Sequence, residues 1–142
     1  MKTYFEKVKE NLNNPESVEI LYNPSKQHYF KEFDEAVRRS DILWTKPSEL
    51  VFYCGLGIPI IMTGAIGAQE RSNRSWISEI GAGCKQYKPK YTNDWLFDLL
   101  NQGRLAEFAW SGFLKARKKG TFKILEVLNT GQLTKNSSPL ER

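Results

Sequence analysis

The run Ile58-Pro59-Ile60-Ile61-Met62, followed by Thr63-Gly64-Ala65-Ile66-Gly67 and then by Gln69 to Ile80, decides the fold. Its first five residues are apolar throughout, the pattern of a strand covered on both faces rather than on one. Two glycines then break the run into a loop. Gln69 to Ile80 reads as a helix, and Gly81-Ala82-Gly83 supplies its stop. A buried strand that feeds a helix through a short loop is the repeating unit of a parallel sheet.

Working outward, the same unit precedes it. Ile42-Leu43-Trp44 is a compact apolar run, too short for a helix. Pro47 suits the first turn of a helix whose apolar positions include Leu50, Val51 and Cys54, and Gly55-Leu56-Gly57 closes it. Further upstream, Val18 to Tyr22 alternates as a short strand and Asn23-Pro24-Ser25 ends it. Tyr4, Phe5, Val8 and Leu12 recur at helical spacing until Asn13-Asn14-Pro15, and Tyr29, Phe30, Phe33 and Val37 mark a second amphipathic helix ending near Ser40. Downstream, Thr92 to about Leu128 reads as two or three helices broken near Gly103 and Gly120. The expected fold is α/β: a Rossmann-like three-layer domain with a mostly parallel sheet, helices on both faces, and closing C-terminal helices. One domain is expected over residues 1–128, with 129–142 a polar, flexible tail.

Bulk properties narrow the function classes. A chain of 142 residues with 40% hydrophobic and 13% aromatic content has enough apolar mass for a core. No apolar run approaches the roughly 20 residues needed to span a bilayer. The first residues, Met1 to Lys7, lack the apolar centre of a signal peptide. Cys54 and Cys84 have no C-x-x-C spacing, and His28 is the one histidine, so neither a disulfide framework nor a metal site is expected. The expected setting is cytoplasmic. Basic and acidic residues balance in 1–40 and in 41–100, whereas 101–142 carries eight against three, so the net charge of +5 resides there. Lys115, Arg117, Lys118, Lys119 and Lys123 are either a solvated helix face or a docking point for an anionic surface, which would make the protein peripheral to a membrane. No nucleic-acid motif accompanies them.

In open parallel sheets ligands bind beyond the carboxyl ends of the strands. That rule selects two loops. In the first, Thr45 and Lys46 lie between a strand and a helix start near Pro47, with Ser48 just after, where free N–H groups and a lysine suit a diphosphate. The alternative is that Thr45 caps the helix and Lys46 is simply exposed. In the second, Gly64 and Gly67 permit close backbone approach, and Gln69, Glu70 and Asn73 open the next helix, 69 and 73 sharing a face. Such amides and carboxylates suit sugar hydroxyls. Equally, Glu70 complements the helix dipole and Asn73 bonds solvent. Trp76, Trp95 and Trp110 read as core or interface aromatics, and His28 as a surface or capping residue rather than a catalytic base.

Residues 40–83 also carry four landmarks in order: Ser40 to Ser48, then Gly57-Ile58-Pro59-Ile60-Ile61, then Gly67-Ala68-Gln69-Glu70 with Asn73, then Glu79-Ile80-Gly81-Ala82-Gly83. Together they resemble the C-terminal, donor-nucleotide-binding half of GT-B fold glycosyltransferases, in pattern the lipid II N-acetylglucosaminyltransferase and galactolipid synthase type. Leu99-Leu100, Leu105-Ala106, Ala116-Arg117 and Gly120 fall where that family's closing helices have similar residues. The resemblance implies that Thr45 to Ser48 line the diphosphate of a nucleotide sugar, commonly a UDP-sugar; no metal or other cofactor is expected, because a helix terminus and Lys46 can offset the developing charge. It implies that Gln69 and Glu70 face the transferred sugar and that Asn73 supports the turn. It also implies a partner, the N-terminal domain that presents the acceptor, without which the chain is inactive. Phe52 stands where that family has a ribose-clasping glutamate, and Glu49, one turn earlier on the same expected helix, is the candidate substitute. The other expectation is therefore a non-catalytic interaction or regulatory module that has lost ribose binding.

Overall fold

The structure, a computed structural model, describes residues 2–132. Two compact units meet in sequence between Ser40 and Asp41. In the first, helix α1 (Lys2–Glu10) and helix α2 (Lys26–Arg38) are joined by a stretch holding one 3-10 turn, Pro15–Ser17. The Asn11 amide donates to Lys7 O at 2.7 Å as α1 ends. The expected strand at Val18 to Tyr22 does not form. Val18 has extended dihedrals, φ −112° and ψ 121°, yet the stretch joins no ladder. Alternation describes where side chains point, whereas a strand also needs a neighbour for its N–H and C=O groups. Side chains secure this stretch instead: Arg39 meets Glu19 Oε2 at 2.9 Å, and Asn23 donates to Glu32 at 2.9 Å while accepting the Ser25 N–H.

The second unit runs β1 (Leu43–Thr45), α3 (Leu50–Leu56), β2 (Ile60–Met62), α4 (Gly67–Ile80), β3 (Gly83–Lys85), α5 (Thr92–Asn101), α6 (Arg104–Lys115) and α7 (Gly120–Thr130). Its sheet is parallel throughout, in the order β1-β2-β3, with Leu43, Ile60 and Gly83 in one row and Thr45, Met62 and Lys85 in another. The α/β class and the parallel sheet flanked by helices are as expected. Two local corrections apply. Strand β3 begins on Gly83, the second of the glycines that read only as a helix stop, and α3 begins at Leu50 rather than at Pro47. Pro47 is buried instead, so burial and not helix geometry holds it.

The strand period explains both covered faces. Ile60 and Met62 share a core with Leu50 and Cys54 of α3 and Ile77 of α4, with Leu43, Trp76 and Ile80 packed around it. Both crossover helices thus lie on one face, as two right-handed connections between neighbouring strands require. Ile61 points the other way and is equally inaccessible. Its neighbours in register are Trp44 and Cys84. Trp44 meets Trp95 of α5 edge-on, centroids 5.4 Å apart, and Arg104 of α6 acts electrostatically on Cys84. The second face therefore meets α5 and the start of α6.

Both cysteines are free, and Cys54 is wholly buried. Burial pushes its thiol up from 9.0 to about 12. Burial also raises the Cys84 thiol, against a smaller lowering by Arg104. The folded chain keeps Cys54 protonated where the unfolded chain ionises, so this contribution to stability is complete below about pH 9 and fades as pH climbs toward about 12. Urea midpoints are expected to fall over that interval more steeply for the wild type than for Cys54→Ala. Equal slopes would assign the alkaline loss to other groups.

Candidate functional site

The register that places Thr45, Met62 and Lys85 side by side sends three strand-to-helix connections off the same edge of the sheet. Parallel pairing continues just beyond the strands, with Thr63 N–H donating to Thr45 O at 2.9 Å and Gln86 N–H to Met62 O at 2.9 Å. The two loops selected from the sequence are thus neighbours, and a side chain links them. Asn73, two turns into α4, donates through Nδ2 to Ser48 O at 2.9 Å and to Pro47 O at 3.1 Å. Proline cannot donate, and the Ser48 N–H already serves Lys46 O at 2.8 Å, so this tight bend offers carbonyls and the asparagine satisfies them.

Around that link, Thr45 is half-buried while Lys46, Ser48 and Glu49 are exposed. Glu49 precedes α3 and makes no side-chain capping bond. Because α3 starts late, a diphosphate at this loop would meet the amides of the bend itself rather than those of a helix end near Pro47. Gly67 opens α4 with φ +89°, in the left-handed region that favours glycine, and space beside Gly64 and Gly67 is open. Glu70 turns back on its own loop, accepting the Ile66 N–H through Oε2 at 2.6 Å. That bond satisfies one of the unpaired donors at the start of α4 and fixes the second loop. Gln69 is exposed on the first turn of α4. Thr45, Lys46, Pro47, Ser48 and Asn73 therefore form one cluster, whereas Glu70 is engaged in its own loop.

The third connection escaped the sequence reading. Trp44 Nε1 donates to Gln86 Oε1 at 2.8 Å, and the Trp95 ring sits between Trp44 and Tyr87, the latter at 5.8 Å. Trp95 is buried and its indole N–H donates to Lys88 O, while Trp44 and Tyr87 stay exposed. A signal was available: Gln86-Tyr87-Lys88 directly before Pro89 marks a strand end once Gly83-Cys84-Lys85 is taken as a strand. Those three residues lack the β-branched run that identifies strands. Of the other tryptophans, Trp76 packs against the core, and Trp110 is 65% exposed, which removes the core alternative for it and leaves the interface one. His28 is exposed on α2.

Cavities among the described residues lie along α4 and beyond. One of about 460 Å³ is lined by Ala68, Arg71, Ser72, Ser75, Trp76 and Glu79. Another, of about 500 Å³, is lined by Val51, Trp76, Ile80, Lys115 and Arg117. No described helix is long and apolar enough to cross a membrane. Residues 1–123 match the model of a family described as a domain of unknown function, DUF6938. No curated protein and no solved structure matches the chain.

Proposed function

We propose a function for this chain, which belongs to the DUF6938 family, from the link between its two sheet-edge loops: it binds the diphosphate of a nucleotide sugar there, as the donor half of a two-part glycosyltransferase. The supporting observation is the pair of bonds from Asn73 to Pro47 O and Ser48 O. They hold one strand-to-helix connection against the helix that follows the other, which is the preorganisation a bound diphosphate needs. In this reading Lys46 supplies the charge that offsets the departing diphosphate, and the exposed Gln69 faces the sugar. Glu70 shapes the loop on which the sugar rests. The acceptor comes from a second domain or chain, so the role of these residues is to bind and orient the donor.

The test is thermal melting with UDP and with a UDP-sugar. Ligand at a hundred times its Kd stabilises the folded state by about 2.7 kcal/mol, an upward shift of several degrees. Lys46→Ala is expected to remove most of that shift while leaving the ligand-free midpoint unchanged, because the side chain is exposed. A midpoint unmoved by millimolar UDP in the folded wild type would end the proposal.

One observation favours a second reading, a non-catalytic interaction module. Phe52, at the position where the resemblance expects a ribose-binding glutamate, is 60% exposed, flanked on α3 by exposed Val51 and Leu56. An apolar surface in place of a ribose clasp suits a polypeptide partner better than a sugar. The melting experiment separates the two, since this reading expects no response to UDP.

A further inference from the structure

Helix α7 is turned inside out for a helix in water. A surface helix normally buries its apolar stripe and exposes its charges. Here the half-buried residues are Lys123 and Glu126, while Phe122, Ile124, Leu125, Val127 and Leu128 are all exposed, Leu128 and Phe122 by 75% and 69%. No residue of the helix is buried. At 100° per residue, Ile124, Leu128, Leu125 and Phe122 sweep one continuous arc, opposite the side that carries Lys123 and Glu126.

The helix is introduced by cations. Arg117, Lys118 and Lys119 connect the buried Ala116 to Gly120, and Lys119 adopts a left-handed φ of +61° at the corner. Lys118 Nζ rests 3.4 Å over the Phe113 ring, and Lys115 Nζ donates to Ile80 O at 2.8 Å. Lys115 and Arg117 also border the cavity of about 500 Å³ whose other walls are Val51, Trp76 and Ile80. Apolar walls under two cations suit a phosphate attached to something greasy.

We propose that α7 and its basic lead-in dock this chain onto an anionic phospholipid surface. The apolar arc enters the acyl boundary, Arg117, Lys118 and Lys119 meet headgroup phosphates, and the cavity beside Lys115 and Arg117 takes one headgroup. Charge complementarity selects this occupant. A second copy packed antiparallel on α7 would set each cationic corner beside the partner's Asn129-Thr130 end, which carries no acidic side chain, and would leave Arg117, Lys118 and Lys119 without counter-charge. A lipid surface instead supplies negative charge and an apolar phase together. The inference stands whether or not the sheet edge binds a nucleotide.

Co-sedimentation of the full chain with phosphatidylcholine vesicles, with and without phosphatidylglycerol, tests it. Binding is expected to the anionic vesicles and to weaken with added salt. Lys118→Gln with Lys119→Gln should lower affinity about 25-fold, at about fivefold per cation. Phe122→Ser with Leu128→Ser should lower it at least about tenfold. Lys119, Phe122 and Leu128 are exposed and Lys118 gives up only its contact with the Phe113 ring, so both variants are expected to melt within a few degrees of the wild type, which checks that they fold. No binding to either vesicle, equal binding to both, or full retention by the Phe122/Leu128 variant would overturn the proposal. So would a dimer in sedimentation velocity that the apolar variant dissolves, since a second copy would then cover α7.

Discussion

Replacing Gly83 with alanine is expected to cost at least about 3 kcal/mol, and to leave little folded protein if the wild type is near the lower end of ordinary domain stability. A Cβ at Gly83 would stand 2.1 Å from Ile60 O and 2.9 Å from Ile60 C. Both are backbone atoms of the neighbouring strand, so no rotamer change relieves the clash. Strands β2 and β3 would have to separate where Ile60 and Gly83 are paired, with loss of the bond from Ile60 N–H to Ala82 O. Urea unfolding followed by circular dichroism measures the cost. A midpoint within experimental error of the wild type would mean that β3 does not approach β2 this closely in solution. Gly64→Ala is the matched control: nothing lies within 4 Å of its added Cβ, and little change is expected.

The second large effect is expected at Ile77. It is fully inaccessible on α4 and shares the core with Ile60 and Met62 of the central strand and Leu50 and Cys54 of α3. Ile77→Ala removes packed apolar volume that a short sheet cannot refill by collapse, an expected loss of about 2–5 kcal/mol. One turn earlier, Asn73 lies on the same side of the helix and holds the Pro47-Ser48 bend. Asn73→Ala is expected to cost only about 1–2 kcal/mol in a partly exposed setting. The two variants should differ in kind as well as size. Ile77→Ala lowers the melting midpoint and leaves the UDP-induced shift of the remaining folded protein intact. Asn73→Ala lowers the midpoint less and loses the shift. If Ile77→Ala were the milder change in the absence of ligand, the core assignment of α4 would be wrong.

These expectations trace how far residue patterns reach in this chain. β1, β2 and α4 were legible because three independent signals agree there: an apolar run, a glycine-bearing loop and a helical period. α5, α6 and α7 were legible from breaks at Gly103 and Gly120. Two strand assignments went astray for opposite reasons. Val18 to Tyr22 has strand-like side chains without a partner, whereas Gly83-Cys84-Lys85 has a partner without strand-like side chains. Pairing is a property of two segments, and neither case could be settled from one. The start of α3 shifted because Pro47 is held by burial, which its identity as a helix-opening residue does not reveal.

For the candidate site, the loops and Asn73 were reachable because the carboxyl-edge rule depends only on strand order. The partner of Asn73 was not, since a bond from a side chain to backbone 26 residues away leaves no local mark. Glu70 carried two readings, and its bond to the Ile66 N–H is the helix-start role. The link between Trp44 and Gln86 depended on β3 and was lost with it.

The central strand, Ile60-Ile61-Met62, has no exposed residue, so its side chains are harmless only after helices cover both sides. Before that moment during synthesis or refolding, these residues are a short, uncharged, sticky segment of the type that recruits other chains into aggregates. Pro59 stands at its head, and a proline withholds the N–H that a growing intermolecular ladder would require. The residue that helps end the loop before β2 thereby also acts as a gatekeeper, protecting the nascent chain during the interval in which its fold offers no protection.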